Sequence, residues 1–207
     1  EEKNPNEISI GTYNVENMWD DVENNSTILY DDFKDSKSNW YKYNMANKKV
    51  LRLKKVIELA GAPDILLLQE IESAKNHSRS LELLKPVLKD LGYEYFVLGN
   101  QGNEVAITTA VISKYPILEN TSLPFEFIPS AEIPEGARAG FITASRDPQV
   151  VTVSVQNVPV RVYNSHWKSQ RGRGELEKSE GLKERLAVAK LIRDDIDQTR
   201  HTQPNLA

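Results

Sequence analysis

Apolar and polar residues alternate along EISIGTYNV, from Ile8 to Val15. This alternation predicts a strand with one buried face. Apolar residues then recur at helical spacing from Asn47 to Ala60, and Gly61 and Pro63 end this predicted helix. The run DILLLQE, Asp64 to Glu70, is short and apolar, which is typical of a strand covered on both faces. A helix followed by such a strand indicates an αβ unit.

The second half of the chain also mixes helices and strands. A helix is predicted from Ser78 to Leu91, with Gly92 as its C-terminal stop. YEYFVLG and EVAITTAVIS are predicted strands, and VVTVSV and VPVRVYNS are predicted to form a hairpin that turns at Gln156 and Asn157. The final helix is predicted from Glu177 to Gln198. Its apolar stripe consists of Leu182, Leu186, Ala189, Ile192 and Ile196.

Two segments lack a regular period and are predicted to be loops. One is acidic, from Asp20 to Ser38, and the other, from Leu123 to Arg138, contains three prolines. Strands and helices in this mixed order indicate an α/β sandwich, in preference to a helical bundle or an all-β fold.

Composition narrows the class of protein. The chain has 207 residues, 39% hydrophobic and 27% charged, so we expect one globular domain over residues 1–207. No apolar run approaches the ~20 residues of a membrane span, and the lack of cysteine excludes disulfides and thiolate chemistry.

The start EEKNPN, without methionine, leads us to expect a removed leader and a secreted or periplasmic location. The net charge of -4 means that nucleic-acid binding would need a local basic patch or a bound cation.

Polar residues cluster at the ends of three predicted strands, where catalytic groups collect on α/β sheets. Each residue type also has an ordinary structural explanation, since a strand-end Asn often caps a turn and a lone His is often structural. The clusters are YNVEN with Asn14 and Asn17, LLLQEIE with Gln69, Glu70 and Glu72, and NSHWKS with His166.

Two of these residues have a stronger chemical rationale than the others. A carboxylate at the lip of a buried strand is costly unless it is paired or bound to a cation, so Glu70 is a candidate ligand for a hard divalent metal. Histidine exchanges protons near neutral pH, and His166 follows a strand that would hold it in place, which suits a general acid or base. Lys168, Arg171 and Arg173 then supply cations where an anionic group would rest.

The motifs TYNVENMWD, PDILLLQEIES and NSHWKSQRG, followed by SEGLKERLAVAKLI, resemble the endonuclease/exonuclease/phosphatase superfamily, which has the deoxyribonuclease I-like fold. The chain resembles the bacterial, often exported members of this superfamily. The matching motifs follow the same order as in the family, from Ile8 to the end of the chain. The resemblance implies a four-layered α/β sandwich. It also implies hydrolysis of phosphate esters with Mg²⁺, or with Mn²⁺ or Ca²⁺ in its place.

The resemblance further implies roles for individual residues. Glu70 would bind the metal, and Asn14 would help to hold the metal and the phosphate. His166 would act as the general acid or base, and Glu104 would be the partner that orients it. The alternative that Glu104 is an ordinary loop carboxylate stays open. Trp167 is expected to pack in the interior. The residues expected to contact the substrate phosphate are Asn164, Lys168, Ser169 and Arg171.

Three functions remain open. The first is a metal-dependent nuclease with DNA or RNA as its substrate. The second keeps the chemistry but acts on a phospholipid or a small phosphate ester, for which LPFEFIP, Leu123 to Pro129, is the best candidate membrane-contacting hairpin. The third is a non-catalytic binding protein that keeps the fold. The joint presence of Asn14, Glu70 and His166 argues against this third function.

The family's Asp-x-Asn motif and its C-terminal Asp-His pair do not occur in these 207 residues. We therefore expect the remaining part of the family domain to lie on another chain or in residues beyond this sequence. The 207 residues alone are expected to be inactive, because the groups that orient the attacking water are missing. Assaying the pure chain for phosphodiester hydrolysis checks this, and metal-dependent turnover would refute it.

Overall fold

The computed structural model describes residues 7–18, 46–73, 79–100, 107–125, 146–167, 175–203 and 206. Its elements within those ranges are β1 (Ile10–Met18), α1 (Ala46–Leu59), β2 (Ile65–Glu72), α2 (Arg79–Leu88) with a 3₁₀ turn (Lys89–Leu91), β3 (Tyr95–Leu98), β4 (Ile107–Ser113), β5 (Ile117–Ser122), β6 (Gln149–Val155), β7 (Val158–Asn164) and α3 (Glu175–Thr202).

The described strands form two sheets. One has the order β1-β2-β4-β3, in which β1 runs parallel to β2 and the other neighbours are antiparallel. The other sheet is antiparallel and has the order β5-β6-β7. Strand β2 lies inside the first sheet, and six of its eight residues are buried, as its continuous apolar run predicts.

Two apolar clusters join the layers. The first packs α1 and α2 against the four-stranded sheet and includes Leu53, Leu68 and Leu84. The second lies between the two sheets and includes Val111 and Val151. The four-stranded sheet therefore has helices on one face and the three-stranded sheet on the other.

Helix α3 packs on the outer face of the three-stranded sheet. Asp195 of α3 accepts hydrogen bonds from Arg161 Nη2 at 3.1 Å and from the Tyr163 hydroxyl at 2.6 Å, both on β7. Burial and the bond to Asp195 raise the pKa of Tyr163, so its hydroxyl stays protonated and donates. The layers run helix, sheet, sheet, helix, which confirms the predicted four-layered α/β sandwich.

Local backbone conformations confirm two of the predicted turns. Gln156 and Asn157, between β6 and β7, have φ angles of 50° and 68°, the positive values that a tight two-residue hairpin needs to match strand twist. Gly92 ends the 3₁₀ turn with a φ of 86° in the left-handed region.

Two features of the fold differ from the sequence predictions. Strand β5 is not predicted, because it is a mostly exposed edge strand without a buried alternating face. The stripe predicted on α3 is wrong in its first half, since Leu182 and Leu186 are 50% and 61% exposed. Glu184 and Val188 are buried instead, and they lie on the helix face of Asp195, whose bonds to β7 set the rotation of the helix.

Both predicted loops fall largely outside the described residues. The acidic segment 20–38 lies there entirely, and the segment 123–138 is described only as far as residue 125, which also leaves out most of LPFEFIP. Among the helices that are described, none has the length and apolar character needed to cross a membrane.

Candidate active site

Asn14 and Glu70 meet because β1 and β2 run side by side and both depart from regular pairing at this point. Asn14 pairs with Gln69 and Met18 pairs with Ile71, so three residues of β1 lie opposite Glu70 alone. Relative to β4, its other neighbour, β2 also has one extra residue at Glu70. Glu70 is therefore a β-bulge, a device that redirects a side chain out of the regular alternation.

The backbone at this bulge is strained. Glu70 has a φ of 66°, and Glu16 and Asn17 opposite it have φ angles of 53° and 54°. Residues with a Cβ cost on the order of 1 kcal/mol or more each in this left-handed region. Such strain persists only where surrounding contacts hold it, and it collects at functional sites.

Hydrogen bonds hold the Glu70 carboxylate on both oxygens. Oε1 accepts from Asn14 Nδ2 at 2.8 Å, and Oε2 accepts from the Asn17 backbone N–H at 2.8 Å. Asn14 Oδ1 accepts from the Glu16 N–H at 2.8 Å. Because a backbone N–H can only donate and an ionised carboxylate only accepts, these partners fix which way the Asn14 amide faces.

His166 reaches the same carboxylate from the other sheet. It follows β7, and its Nε2 lies 3.2 Å from Glu70 Oε1. Both side chains are largely enclosed, with 17% of His166 and 18% of Glu70 exposed. His166 Nδ1 is buried and has no hydrogen-bond partner among the described residues.

The Glu70 carboxylate is ionised at neutral pH. The hydrogen bond from His166 has the largest effect, and with the bonds from Asn14 and Asn17 it lowers the pKa of Glu70 from 4.5 to about 2, although burial opposes the shift. The site therefore presents a negative charge that is already oriented before any ligand arrives.

A chain of buried amides links the two sheets directly behind this pair. Gln69 Nε2 donates to Asn164 Oδ1 at 2.8 Å. Gln69 immediately precedes Glu70 in the sequence, and Asn164 lies two residues before His166. Asn164 Nδ2 donates to the carbonyls of Leu68 and Ala110, both at 3.0 Å, and Asn164 is 1% exposed. This amide therefore connects the two sheets inside the sandwich, and the predicted contact of Asn164 with phosphate stays a prediction.

The structure brings together part of the predicted site. Asn14, Glu70 and His166 lie in mutual contact, whereas Glu104, Lys168, Ser169 and Arg171 lie outside the described residues. The expected packing of Trp167 is wrong, because its side chain is 45% exposed beside His166. Glu72 does not belong to the contact, since it is 1% exposed and accepts from Ser80 Oγ at 3.2 Å.

The donor atoms at this site fit a hard divalent cation. An ionised carboxylate, Glu70, and an amide oxygen, Asn14 Oδ1, are ligands of the kind that Mg²⁺ takes, and Mg²⁺ often needs only one or two protein carboxylates beside water and phosphate. Within the part of the chain that is described, no group of three His, Cys, Asp or Glu residues could hold a metal. The donor set thus suits Mg²⁺, Mn²⁺ or Ca²⁺.

Sequence reasoning missed Lys49 and Gln149. Lys49 of α1 donates from Nζ to the carbonyls of Glu16 and Asn17, the second at 3.1 Å. Gln149 is fully buried and joins Asn164 to Asn120 of β5. Lys49 looks like any lysine of a polar helix face, and Gln149 begins a strand, so neither had a signal in the sequence.

The carboxylate of Glu70, the imidazole of His166 and the amide of Asn14 thus lie together where the two sheets pack. A family model described as "Endonuclease/Exonuclease/phosphatase family" matches residues 9–207. The chain belongs to this family, whose superfamily comprises metal-dependent phosphoric ester hydrolases. Among the curated proteins, no sequence matches significantly.

Solved structures support the same fold. TDP2 from C. elegans aligns with a TM-score of 0.56 at 17% identity, over 95% of this chain and 44% of that one. SmcL aligns with a TM-score of 0.58 at 16% identity, over 95% and 59%. Sphingomyelinase C from Streptomyces griseocarneus aligns with a TM-score of 0.57 at 17% identity, over 92% and 59%. The chain thus spans about half the length of these structures, and identities this low show the fold alone.

The lowered pKa of Glu70 predicts a pH-dependent contribution to stability. Because the pKa falls from 4.5 to about 2 on folding, the contribution is complete above pH 4.5 and is lost as the pH falls toward 2. Over that interval the wild type should lose on the order of 1–3 kcal/mol more free energy of unfolding than Glu70→Gln. Urea denaturation at a series of pH values measures this, and parallel curves for the two proteins would contradict it.

The buried amide chain predicts a large cost for Asn164→Leu. The variant keeps the volume but leaves the Gln69 amide and two backbone carbonyls short of a partner, so it should lose roughly 2–4 kcal/mol of unfolding free energy. Asn120→Ala, at the exposed end of the same chain, is the matched control and should cost less than about 1 kcal/mol. Equal shifts in the urea midpoint would contradict this account.

Proposed function

We propose that this protein is a divalent-metal-dependent phosphodiesterase that hydrolyses DNA or RNA. The observation that carries the proposal is the contact of Asn14, Glu70 and His166, which come from two sheets and meet within 3.2 Å. A structural ion pair would not need a strained bulge to turn its carboxylate toward a histidine of another sheet. Membership of the family supports the same chemistry.

In this proposal Glu70 and Asn14 would hold the divalent ion, which would polarise the phosphate and offset its charge. The chain itself keeps the carboxylate ready for that ion. The N–H groups of Asn14 and Asn17 orient its two oxygens, and the low pKa of Glu70 means that no proton has to leave at neutral pH.

His166 supplies or accepts the proton. Its Nε2 lies at the carboxylate, so a phosphate oxygen bound beside Glu70 comes within hydrogen-bond reach of the same nitrogen. His166 Nδ1 needs a partner that the described residues do not provide. We assign this place to Glu104, which would fix the ring and stabilise the doubly protonated imidazolium that acts as the acid.

The surroundings of His166 favour nucleic acid as the substrate. Trp167 is 45% exposed next to the site, and an exposed aromatic ring offers a base a stacking surface. Lys168, Arg171 and Arg173 follow in the sequence and would contact phosphates, with Ser169 as a further hydrogen-bond donor. The exported-type motifs support placing this activity outside the cytoplasm.

The proposal predicts that Glu70→Gln and His166→Ala lose hydrolysis of nucleic acid. Each variant of the complete gene product should lose at least about 100-fold in rate with Mg²⁺, because proton transfer by His166 would contribute about 10²–10⁴-fold and Glu70 would hold the ion that polarises the phosphate. Plasmid DNA, RNA, a sphingomyelin vesicle and a chromogenic phosphodiester form the substrate panel, each assayed with Mg²⁺ and with EDTA.

Exposed residues of the same types provide matched controls. Glu58→Gln on α1 and His201→Ala on α3 should keep wild-type rates. Vesicle hydrolysis without nucleic-acid cleavage would replace nucleic acid with phospholipid as the substrate. A wild-type protein that leaves the whole panel intact would refute the catalytic proposal and favour a binding protein.

A further inference from the structure

The Lys49 side chain hydrogen-bonds the backbone turn that lies opposite Glu70, on the side of the turn away from the Glu70 carboxylate. The turn opposite Glu70 contains two successive left-handed residues, Glu16 and Asn17. Their N–H groups bond toward the site, to Asn14 Oδ1 and to Glu70 Oε2. Their carbonyl oxygens both accept from Lys49 Nζ, at 3.1 Å in the case of Asn17.

The position of Lys49 is fixed by the packing of its helix. Val50, Leu53 and Ile57 of α1 are buried against the four-stranded sheet, which brings the preceding lysine to the end of β1. Lys49 is itself partly buried, and burial lowers its pKa while Glu16 and Glu70 oppose that shift. The two backbone carbonyls that accept hydrogen bonds from the Lys49 ammonium group therefore hold it in position.

On the basis of the proposed metal site, we propose that Lys49 is a positioning residue that sets the affinity of Glu70 for its divalent cation. Lys49 does not touch the carboxylate in this arrangement. It holds the strained turn whose Asn17 N–H orients Glu70 Oε2, and outer partners of this kind typically change metal affinity by about 10–100-fold.

The sign of the effect separates positioning from simple electrostatics. Lys49 carries a positive charge near the metal site, so removal of that charge alone would strengthen Mg²⁺ binding. If Lys49 acts by holding the turn, its removal weakens Mg²⁺ binding instead. The two explanations therefore predict opposite changes for one substitution.

The test is calorimetric titration of the complete gene product with Mg²⁺ alone, without substrate. Lys49→Met should bind Mg²⁺ roughly 10–100-fold more weakly than the wild type. Lys49→Arg should recover most of the affinity, since a guanidinium keeps the charge and several donors. Lys49→Ala, which also removes both the donor and the charge, takes the place of Lys49→Met if that variant does not fold. Lys55→Met removes an exposed lysine of the same helix and should match the wild type.

A second measurement reports on the turn itself. Hydrogen exchange of the Asn17 amide should be faster in Lys49→Met than in the wild type, with no metal present. An unchanged or tighter Mg²⁺ affinity in Lys49→Met, or an equal loss in Lys55→Met, would overturn the inference. If Lys49→Met binds Mg²⁺ as tightly as the wild type while Glu70→Gln loses binding, the metal site stands and this inference alone is removed. A wild type without Mg²⁺ affinity would remove the metal site and this inference together.

Discussion

The contact between His166 Nε2 and Glu70 Oε1, 3.2 Å long, is the constraint on which the arrangement of the site depends. It joins groups from two different sheets, so it requires those sheets to pack at a fixed distance and orientation. The valines between the sheets set that distance, and the amide chain through Gln69 and Asn164 sets the orientation next to the contact. The strained bulge at Glu70 then turns the carboxylate to the histidine.

Much of the architecture could be predicted from the sequence, because it depends on patterns that are local. The apolar run of β2, the helical spacing of α1 and the Gln156–Asn157 turn each specify their element within a few neighbouring residues. Asn14, Glu70 and His166 could be selected as well, since each lies near the end of a strand predicted from the sequence and in a motif that resembles the family.

The remaining features depend on contacts between distant parts of the chain. Lys49 acquires its hydrogen bonds from the left-handed turn at Glu16 and Asn17, and nothing near Lys49 in sequence indicates that turn. The rotation of α3 follows from the bonds of Asp195 to β7, which exposes two leucines that helical spacing alone would bury. Asn164 is predictable only in part. The motif around it can be recognised from the sequence, but its burial between the sheets cannot.

The separation of the site residues along the chain has a consequence for folding. The Asn14–Glu70 bond closes a loop of 56 residues, and the Gln69–Asn164 bond closes one of 95. Closing loops of this length costs chain entropy before the contacts are made, so pairings of high sequence separation tend to form slowly. We expect the helices and the β6–β7 hairpin to form earlier than the hydrogen bonds of Glu70 with Asn14 and Asn17. A partly folded chain would therefore contain most of its secondary structure and still lack the contact between Glu70 and His166.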